Sequence, residues 1–292
     1  MQLNVYGWMA EWLCSGLQSR LRRFDSGFSL QDIFMNLKAI VTGASRGIGN
    51  SVSNHLINNK LVKEIHLVGS SNKVIQMANE YNGVNDIEIV PHIVNFADSE
   101  NVAEFCTKIK SMESKPNAII NCAGVLGDHG FFDSIAYTSY EKVFNINLFA
   151  PIRLISALSD HMKSNNFGRI INFAGGGAAY AYPNFMPYSL SKVSVVRMTE
   201  NIAKEFSDAN YDNILCNVIA PGAVETDMLK EVRKRGGFVK TTVDINEPVR
   251  LVEFLLLNKN REINGKFIHS RDSYDQIDFN KENDFYCLRR ID

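Results

Sequence analysis

Apolar and polar positions fall into blocks from Leu37 onward, and the period changes from block to block. The run Leu37-Lys38-Ala39-Ile40-Val41 predicts a buried strand, and residues 49–59 carry the helical spacing that follows it. The same pairing recurs. Strands are predicted at 64–68 and 87–94, with helices over 73–81 and 99–111 behind them. Residues 118–121 read as a fourth strand. Longer helices are predicted near 139–164 and 187–206, with strands at 169–173, 214–219 and 265–269. Strands alternating with helices imply parallel pairing. The expected fold class is therefore α/β, a single doubly wound parallel sheet.

Residues 1–36 stand apart from this alternation. Val5, Trp8, Met9, Trp12 and Leu13 recur at helical spacing. The polar face of that helix is not rich in Lys or Arg. Packing on the main domain or on a partner subunit is thus favoured over a membrane-surface anchor. A secretory signal is not expected, because a basic leading region is missing and Glu11 interrupts the apolar stretch. Arg20, Arg22 and Arg23 suit a transit peptide, but Glu11, Asp25 and Asp32 oppose one.

Composition narrows the field further. The chain has 292 residues, 45% hydrophobic and 22% charged, which is ordinary globular composition. Lys and Arg number 31 against 32 for Asp and Glu, a formal net charge of -1, so no nucleic-acid partner is expected. No apolar run approaches the roughly 18 residues of a membrane span. The five cysteines, Cys14, Cys106, Cys122, Cys216 and Cys287, are scattered and odd in number. Neither a disulfide framework nor a metal site is expected, and a cytoplasmic location fits best.

The segment Thr42-Gly43-Ala44-Ser45-Arg46-Gly47-Ile48-Gly49 ends the first strand and opens the first helix. Glycines there permit a tight turn, close approach of the backbone to a pyrophosphate, and close helix–strand packing. The helix start offers free N–H groups and a positive dipole end to the anion. Three further motifs follow in order: Asn121-Cys122-Ala123-Gly124, Tyr188-Ser189-Leu190-Ser191-Lys192, and Pro221-Gly222 with Thr226. Together, over residues 37–228, these resemble the short-chain dehydrogenase/reductase family. The first matches its TGxxxGxG loop, the second its NNAG segment with Cys122 for the second Asn, and the third its YxxxK motif. The resemblance implies a Rossmann fold and an NAD(P)-dependent oxidoreductase acting on an alcohol/carbonyl couple. It also implies cofactor contacts from Gly43, Ser45, Arg46, Gly47, Ile48, Gly49, Ser70, Asn95, Asn121, Ala123, Gly124, Pro221, Gly222 and Thr226, together with Tyr188 and Lys192. The expected organisation is an N-terminal extension over 1–36, the catalytic domain over 37–270 and a tail over 271–292.

Tyr188 and Lys192 are four apart on a predicted helix and share a face. A phenol with a pKa of about 10 is a poor base at neutral pH. A neighbouring ammonium favours phenolate, so Tyr188 is expected to be tuned down towards working pH. It can then exchange the proton of the alcohol/carbonyl couple, while hydride transfer belongs to the nicotinamide. The resemblance adds that Lys192 holds the cofactor ribose. It also makes Asn147, in Phe144-Asn145-Ile146-Asn147-Leu148, the support of a proton relay through water.

The pattern breaks at one place. The family carries a Ser thirteen residues before the active-site Tyr, and here that position is Gly175, within Ala174-Gly175-Gly176-Gly177. Losing such a donor costs about 10²–10³ in rate. Three readings stay open. The backbone of the glycine run, or a hydroxyl from Tyr180 or Tyr182, takes over; a polar substrate supplies its own hydroxyl; or the chain binds cofactor without turnover. Glycines let a bulky ligand approach the backbone, so Gly175, Gly176 and Tyr182 are the expected substrate contacts.

Cofactor choice is read at the end of the second strand. His66-Leu67-Val68-Gly69-Ser70-Ser71 offers no carboxylate for a ribose hydroxyl, and Arg46 lies in the glycine loop. NADP(H) is favoured, with NAD(H) as the alternative. Asn95 falls where relatives carry an Asp near the adenine. On the substrate side, residues 227–245 form the expected lid. Arg233, Lys234, Arg235 and Lys240 there suit an anionic or sugar-linked small-molecule substrate, or simply a solvated helix face. The glycine run and the extended C-terminal stretch resemble a bacterial subgroup associated with surface polysaccharide synthesis. The family resemblance also implies a homodimer or homotetramer built through the helices near 139–164 and 187–206. Two other functions stay open beside reduction: a cofactor-binding sensor or partner protein, and an epimerase or dehydratase with tightly held cofactor.

Overall fold

The computed structural model describes residues 37–81, 86–237, 239–278 and 287–288. The helix expected over residues 1–36 lies outside them. The first half alternates strictly: β1 (Lys38–Thr42), α1 (Gly47–Asn58), β2 (Glu64–Gly69), α2 (Lys73–Glu80), β3 (Glu88–Ile93), α3 (Ser99–Ser111) and β4 (Ala118–Asn121). The second half begins with α4 (Tyr137–Phe144), a π turn over Asn145–Phe149, and α5 (Ala150–Asn165). Then come β5 (Gly168–Phe173), the short α6 (Gly176–Ala179), α7 (Met186–Asp208), β6 (Ile214–Ala220), α8 (Asp227–Lys234), α9 (Asn246–Leu257) and β7 (Phe267–His269).

The seven strands form one sheet in the order β3-β2-β1-β4-β5-β6-β7, every pair parallel. Successive side chains on a strand point to opposite faces. Ala39 and Val41 of β1 face the layer made by Val52 and Leu56 of α1 with Val252 and Leu255 of α9. Ile40 between them faces Phe105 of α3 and Leu158 of α5. Both faces are covered, which is why the strands read as continuous apolar runs.

Two expectations from periodicity change, and a helix is found where none is predicted. The helix expected over 139–164 is two helices joined by the π turn, because an extra residue is accommodated at Asn145–Phe149. The last strand is shorter than expected, covering Phe267–His269 alone. Helix α9 is not legible as one, because Val249, Leu251, Val252, Leu255 and Leu256 all bury and its apolar stripe is almost unbroken.

A polar cluster interrupts the core at the β2–β3 edge. His66 of β2 is held between Glu64 Oε1 at 2.8 Å and His92 Nε2 of β3 at 2.9 Å. Burial holds both imidazoles down, His92 to about 4. Neutral rings then fix the directions: His66 donates to Glu64, and His92 donates to His66.

Candidate active site

Strand order reverses between β1 and β4, and the crevice at their carboxyl ends is where open parallel sheets place ligands. The glycine loop fills its near side. Gly43 has φ +71°, and a Cβ there would meet the Ala123 backbone at 3.0 Å. A Cβ on Gly49 would stand 2.4 Å from the Gly43 carbonyl oxygen. Both positions are closed to any side chain, so the turn packs backbone on backbone. No side chain caps the start of α1 and no acidic residue lies in its first turn, which leaves those N–H groups open to an anion.

A cleft of about 940 Å³ runs from this loop to the start of α7. Gly43, Ser45, Arg46, Gly47, Ile48, Gly49, Ser70 and Asn95 line one part of it; Ala123, Gly124, Pro221, Thr226, Tyr188 and Lys192 line the rest. The volume lies at the upper end of the range of small-molecule sites. The residues present fit a dinucleotide: bare backbone where a pyrophosphate needs it, and a tyrosine–lysine pair further along. Two expected cofactor contacts are not among the lining. Asn121 is buried and donates from Nδ2 to Asn172 Oδ1 at 2.8 Å, inside the sheet. Gly222 packs against Val243 instead. Asn95 is exposed, and its Oδ1 accepts from the Ala97 N–H at 3.1 Å, which leaves its amide N–H groups for a ligand.

Tyr188 and Lys192 lie one turn apart on α7, whose first turn carries Pro187. Lys192 Nζ donates to the Phe173 carbonyl oxygen of β5 at 2.7 Å and stands 5.6 Å from the centre of the Tyr188 ring. Asn147 sits in the π turn, buried. Its Oδ1 accepts from the Val125 N–H at 2.9 Å, and its Nδ2 donates to the Val125 carbonyl at 3.0 Å and to Ser191 Oγ at 2.9 Å. Ser191 Oγ in turn donates to the Tyr188 carbonyl at 2.7 Å. Thus the loop after β4, the π turn and α7 are tied at one point. Neither Ser191 nor the Phe173 carbonyl is marked by composition or spacing; Ser191 is one of the unspecified positions between Tyr188 and Lys192.

The electrostatics correct one expectation. Tyr188 is not tuned down. Burial raises its pKa, with a smaller contribution from neighbouring Tyr182. Burial also lowers Lys192, to about 8. The ammonium is directed at a carbonyl rather than at the phenol oxygen, so burial dominates both groups. Cys122, at the cleft floor, is pushed up to about 12 by burial and is an inert thiol.

Gly175 lies beside Tyr188 at the start of α6, and of the expected substrate contacts Gly175, Gly176 and Tyr182 none is among the residues lining the cleft. A Cβ on Gly175 would stand 2.6 Å from the Tyr188 hydroxyl oxygen, whereas one on Gly176 would meet nothing within 4 Å. Tyr182 stacks on Phe185 with ring centres 4.9 Å apart. The expected lid narrows to α8 and the bridge Val224–Val243. Its bases are largely engaged: Arg233 forks onto Glu225 at 2.7 and 2.9 Å, and Arg235 binds Glu231 at 2.7 Å and the Gly127 carbonyl at 2.6 Å. At the tail, Leu288 accepts from Arg197 and donates to Glu200, both on α7. Among the described residues there is no group of three or more His, Cys, Asp or Glu able to hold a metal, and no helix long and apolar enough to cross a membrane.

A parallel sheet with a glycine turn at its switch point and a tyrosine–lysine pair across the cleft defines a nucleotide-binding α/β oxidoreductase. The chain belongs to the short chain dehydrogenase family, whose sequence model matches residues 37–236. One relative is the 3-oxoacyl-(acyl-carrier-protein) reductase MabA of Mycobacterium bovis, 28% identical over 202 residues that cover 69% of this chain and 75% of the relative. Another is a 3alpha-hydroxysteroid dehydrogenase of Mediterraneibacter gnavus, 29% identical over 202 residues, 68% of this chain and 78% of the relative. The solved structure of YwfH, described as an NADPH dependent reductase involved in bacilysin biosynthesis, superposes with a TM-score of 0.71. It covers 80% of this chain and 96% of its own, and at 22% identity the likeness is one of fold.

Proposed function

We propose that this chain is an NADP(H)-preferring oxidoreductase that interconverts an alcohol and a carbonyl on a small-molecule substrate. The observation that carries the reading is the continuous cleft joining the backbone-lined glycine turn to the Tyr188 phenol. A bound nicotinamide supplies the hydride, or accepts it in the reverse direction. In reduction Tyr188 gives its phenolic proton to the carbonyl oxygen; in oxidation it takes that proton back. Raised by burial, Tyr188 keeps its proton at neutral pH, which suits the acid role. Lys192 orients a ribose hydroxyl, and Asn147 holds the Val125 backbone and, through Ser191, the Tyr188 turn.

The preference for NADP(H) over NAD(H) is supported by Arg46, Ser45 and Ser70 in the cleft wall, and by the Gly69-Ser70-Ser71 end of β2, which has no carboxylate to repel a 2′-phosphate. The Arg46 side chain is largely exposed, with Asp227 only at 4.0 Å, so it is available to such a group. An anionic or sugar-linked substrate has weaker support, since Arg233 and Arg235 are engaged by carboxylates of their own segment. That reading rests on Lys234 and Lys240 and on the polysaccharide-locus resemblance. Exposed Phe149, Ile152 and Leu190 support self-association through the π turn, α5 and α7 as a homodimer or homotetramer. Free thiols at Cys106, Cys122 and Cys216 suit the reducing cytoplasm.

Gly175 favours a second reading, a cofactor-binding protein without turnover. One experiment separates them. The chain is titrated with NADPH and NADH, and then compared with Tyr188→Phe in reducing an activated diketone such as phenanthrenequinone. The reading expects NADPH to bind at least about tenfold tighter, a gap of about 1.4 kcal/mol. Tyr188→Phe should lower kcat by about 10²–10⁴ with NADPH affinity unchanged. Tight NADPH binding with no turnover in the unaltered chain would establish the second reading instead.

A further inference from the structure

We propose that Tyr182 supplies a second hydroxyl to the active site, donating a hydrogen bond to the substrate carbonyl oxygen where Gly175 has no side chain to do so. The assignment rests on the reductase reading of the same cleft.

A carbonyl that accepts hydride at carbon develops negative charge on oxygen, and Tyr188 alone covers one side of that oxygen. A second donor there is worth about 10²–10³ in rate. Gly175 cannot provide it from a side chain. Nor is there room for one as the site stands, because a Cβ would sit 2.6 Å from the Tyr188 hydroxyl oxygen. Nearby hydroxyls are mostly committed. Ser189 Oγ donates to the Met186 carbonyl at 3.2 Å and Ser191 Oγ donates to the Tyr188 carbonyl, whereas Ser139 Oγ accepts from the Asp128 N–H at 2.8 Å, on the side of the cleft made by α4. Tyr180 is 80% exposed and turned to solvent.

Tyr182 differs on each count. It is half-buried and packs with Tyr188, Leu126 and Met228 around Phe185. Its ring stacks on Phe185 at 26° and stands 6.4 Å, centre to centre, from the Tyr188 ring. Among the described residues its hydroxyl has no hydrogen-bond partner, although a partly buried phenol normally finds one. The two phenols already feel each other, since Tyr182 contributes to the raised pKa of Tyr188. The Tyr182 ring stands next to that of the acid, just outside the residues that line the cleft, and its uncommitted O–H is the group an oxygen acceptor between the two phenols would engage. No bond is made or broken at Tyr182. The carbonyl carbon receives hydride, its oxygen receives the Tyr188 proton, and Tyr182 keeps its own.

The test uses the full chain with NADPH and phenanthrenequinone, comparing Tyr182→Phe, Tyr182→Ala and Tyr182→His. Tyr182→Phe keeps the ring on Phe185 and removes only the hydroxyl. The expected result is a fall in kcat of about 10² for both Phe and Ala, with NADPH affinity and thermal midpoint held in the Phe variant. The His variant, which restores an N–H donor, recovers part of the loss. Retention of kcat within about threefold in Tyr182→Phe, with loss in the Ala variant only, would make the residue a packing shelf and overturn the assignment. If Tyr188→Phe also leaves kcat intact, or the unaltered chain binds NADPH and does not reduce the probe, the reductase reading itself fails.

Discussion

The two ends of the cleft are built by different means. The glycine turn is local: eight consecutive residues, Thr42 to Gly49, make it, and its requirement is the absence of side chains. The tyrosine end is assembled from the loop after β4, the π turn, β5 and α7, whose contributing residues are separated by 19 to 44 positions along the chain. The first is a property of chain geometry. The second is a property of hydrogen bonds that exist only once the sheet has formed. A single substitution should therefore act by steric exclusion at one end and by orphaned polar groups at the other.

The largest expected effect is at the turn. Gly49→Val drives a Cβ into backbone on three sides, 2.4 Å from the Gly43 carbonyl oxygen and 3.1 Å from that of Thr42. Backbone cannot swing aside as a flexible side chain can, so the turn must open. NADPH affinity should drop by about a hundredfold or more, roughly 2.7 kcal/mol, measured by fluorescence titration. Unchanged affinity would mean that the turn is not the cofactor cradle.

Next is Asn147→Leu. It strands the Val125 N–H and carbonyl and removes the donor to Ser191. Each stranded buried group costs about 1–3 kcal/mol. The thermal midpoint should fall by roughly 10 °C, and kcat should fall with it while NADPH still binds. A variant as stable as the parent would show that the π turn is held by packing alone.

The smallest effect on stability is expected at Lys192. Its buried ammonium releases a proton at about 8 instead of 10.5. Between those values the unfolded chain binds the more protons, so stability rises with pH across that window. Lys192→Met removes this dependence. Urea unfolding at pH 7 and pH 10 should show the parent gaining stability relative to the Met variant at the higher pH. At pH 7 the Met variant should unfold no earlier than the parent, yet be inactive. That outcome would mark Lys192 as kept for chemistry and Asn147 as kept also for structure, both within the same end of the cleft.

Legibility followed the same division. The glycine turn, β1 to β4 and the Tyr188–Lys192 pair were readable because each depends on near neighbours: a strand period, a helix period, a spacing of four. The expected tuning of Tyr188 by Lys192 was not sound. Proximity on a helix face says nothing of where the ammonium is directed, and the Phe173 carbonyl takes it. The expected basic cluster at Arg233 and Arg235 dissolved for a similar reason, since Glu225 and Glu231 are close only in the folded lid. Asn121 also braces β4 to β5 through Asn172, a contact its place in the motif does not announce.

The sequence by itself determined the α/β alternation, the bare backbone of the turn and the placing of a phenol one helical turn from an amine. Each of these follows from short-range sterics or from a repeating apolar period. Only the tertiary structure decided which partner each polar group satisfies, how far burial moves Tyr188 and Lys192, and that Tyr182 stands beside Tyr188 where Gly175 leaves no side chain. Those depend on desolvation and on contacts between distant segments, and neither exists until the layers close on the sheet.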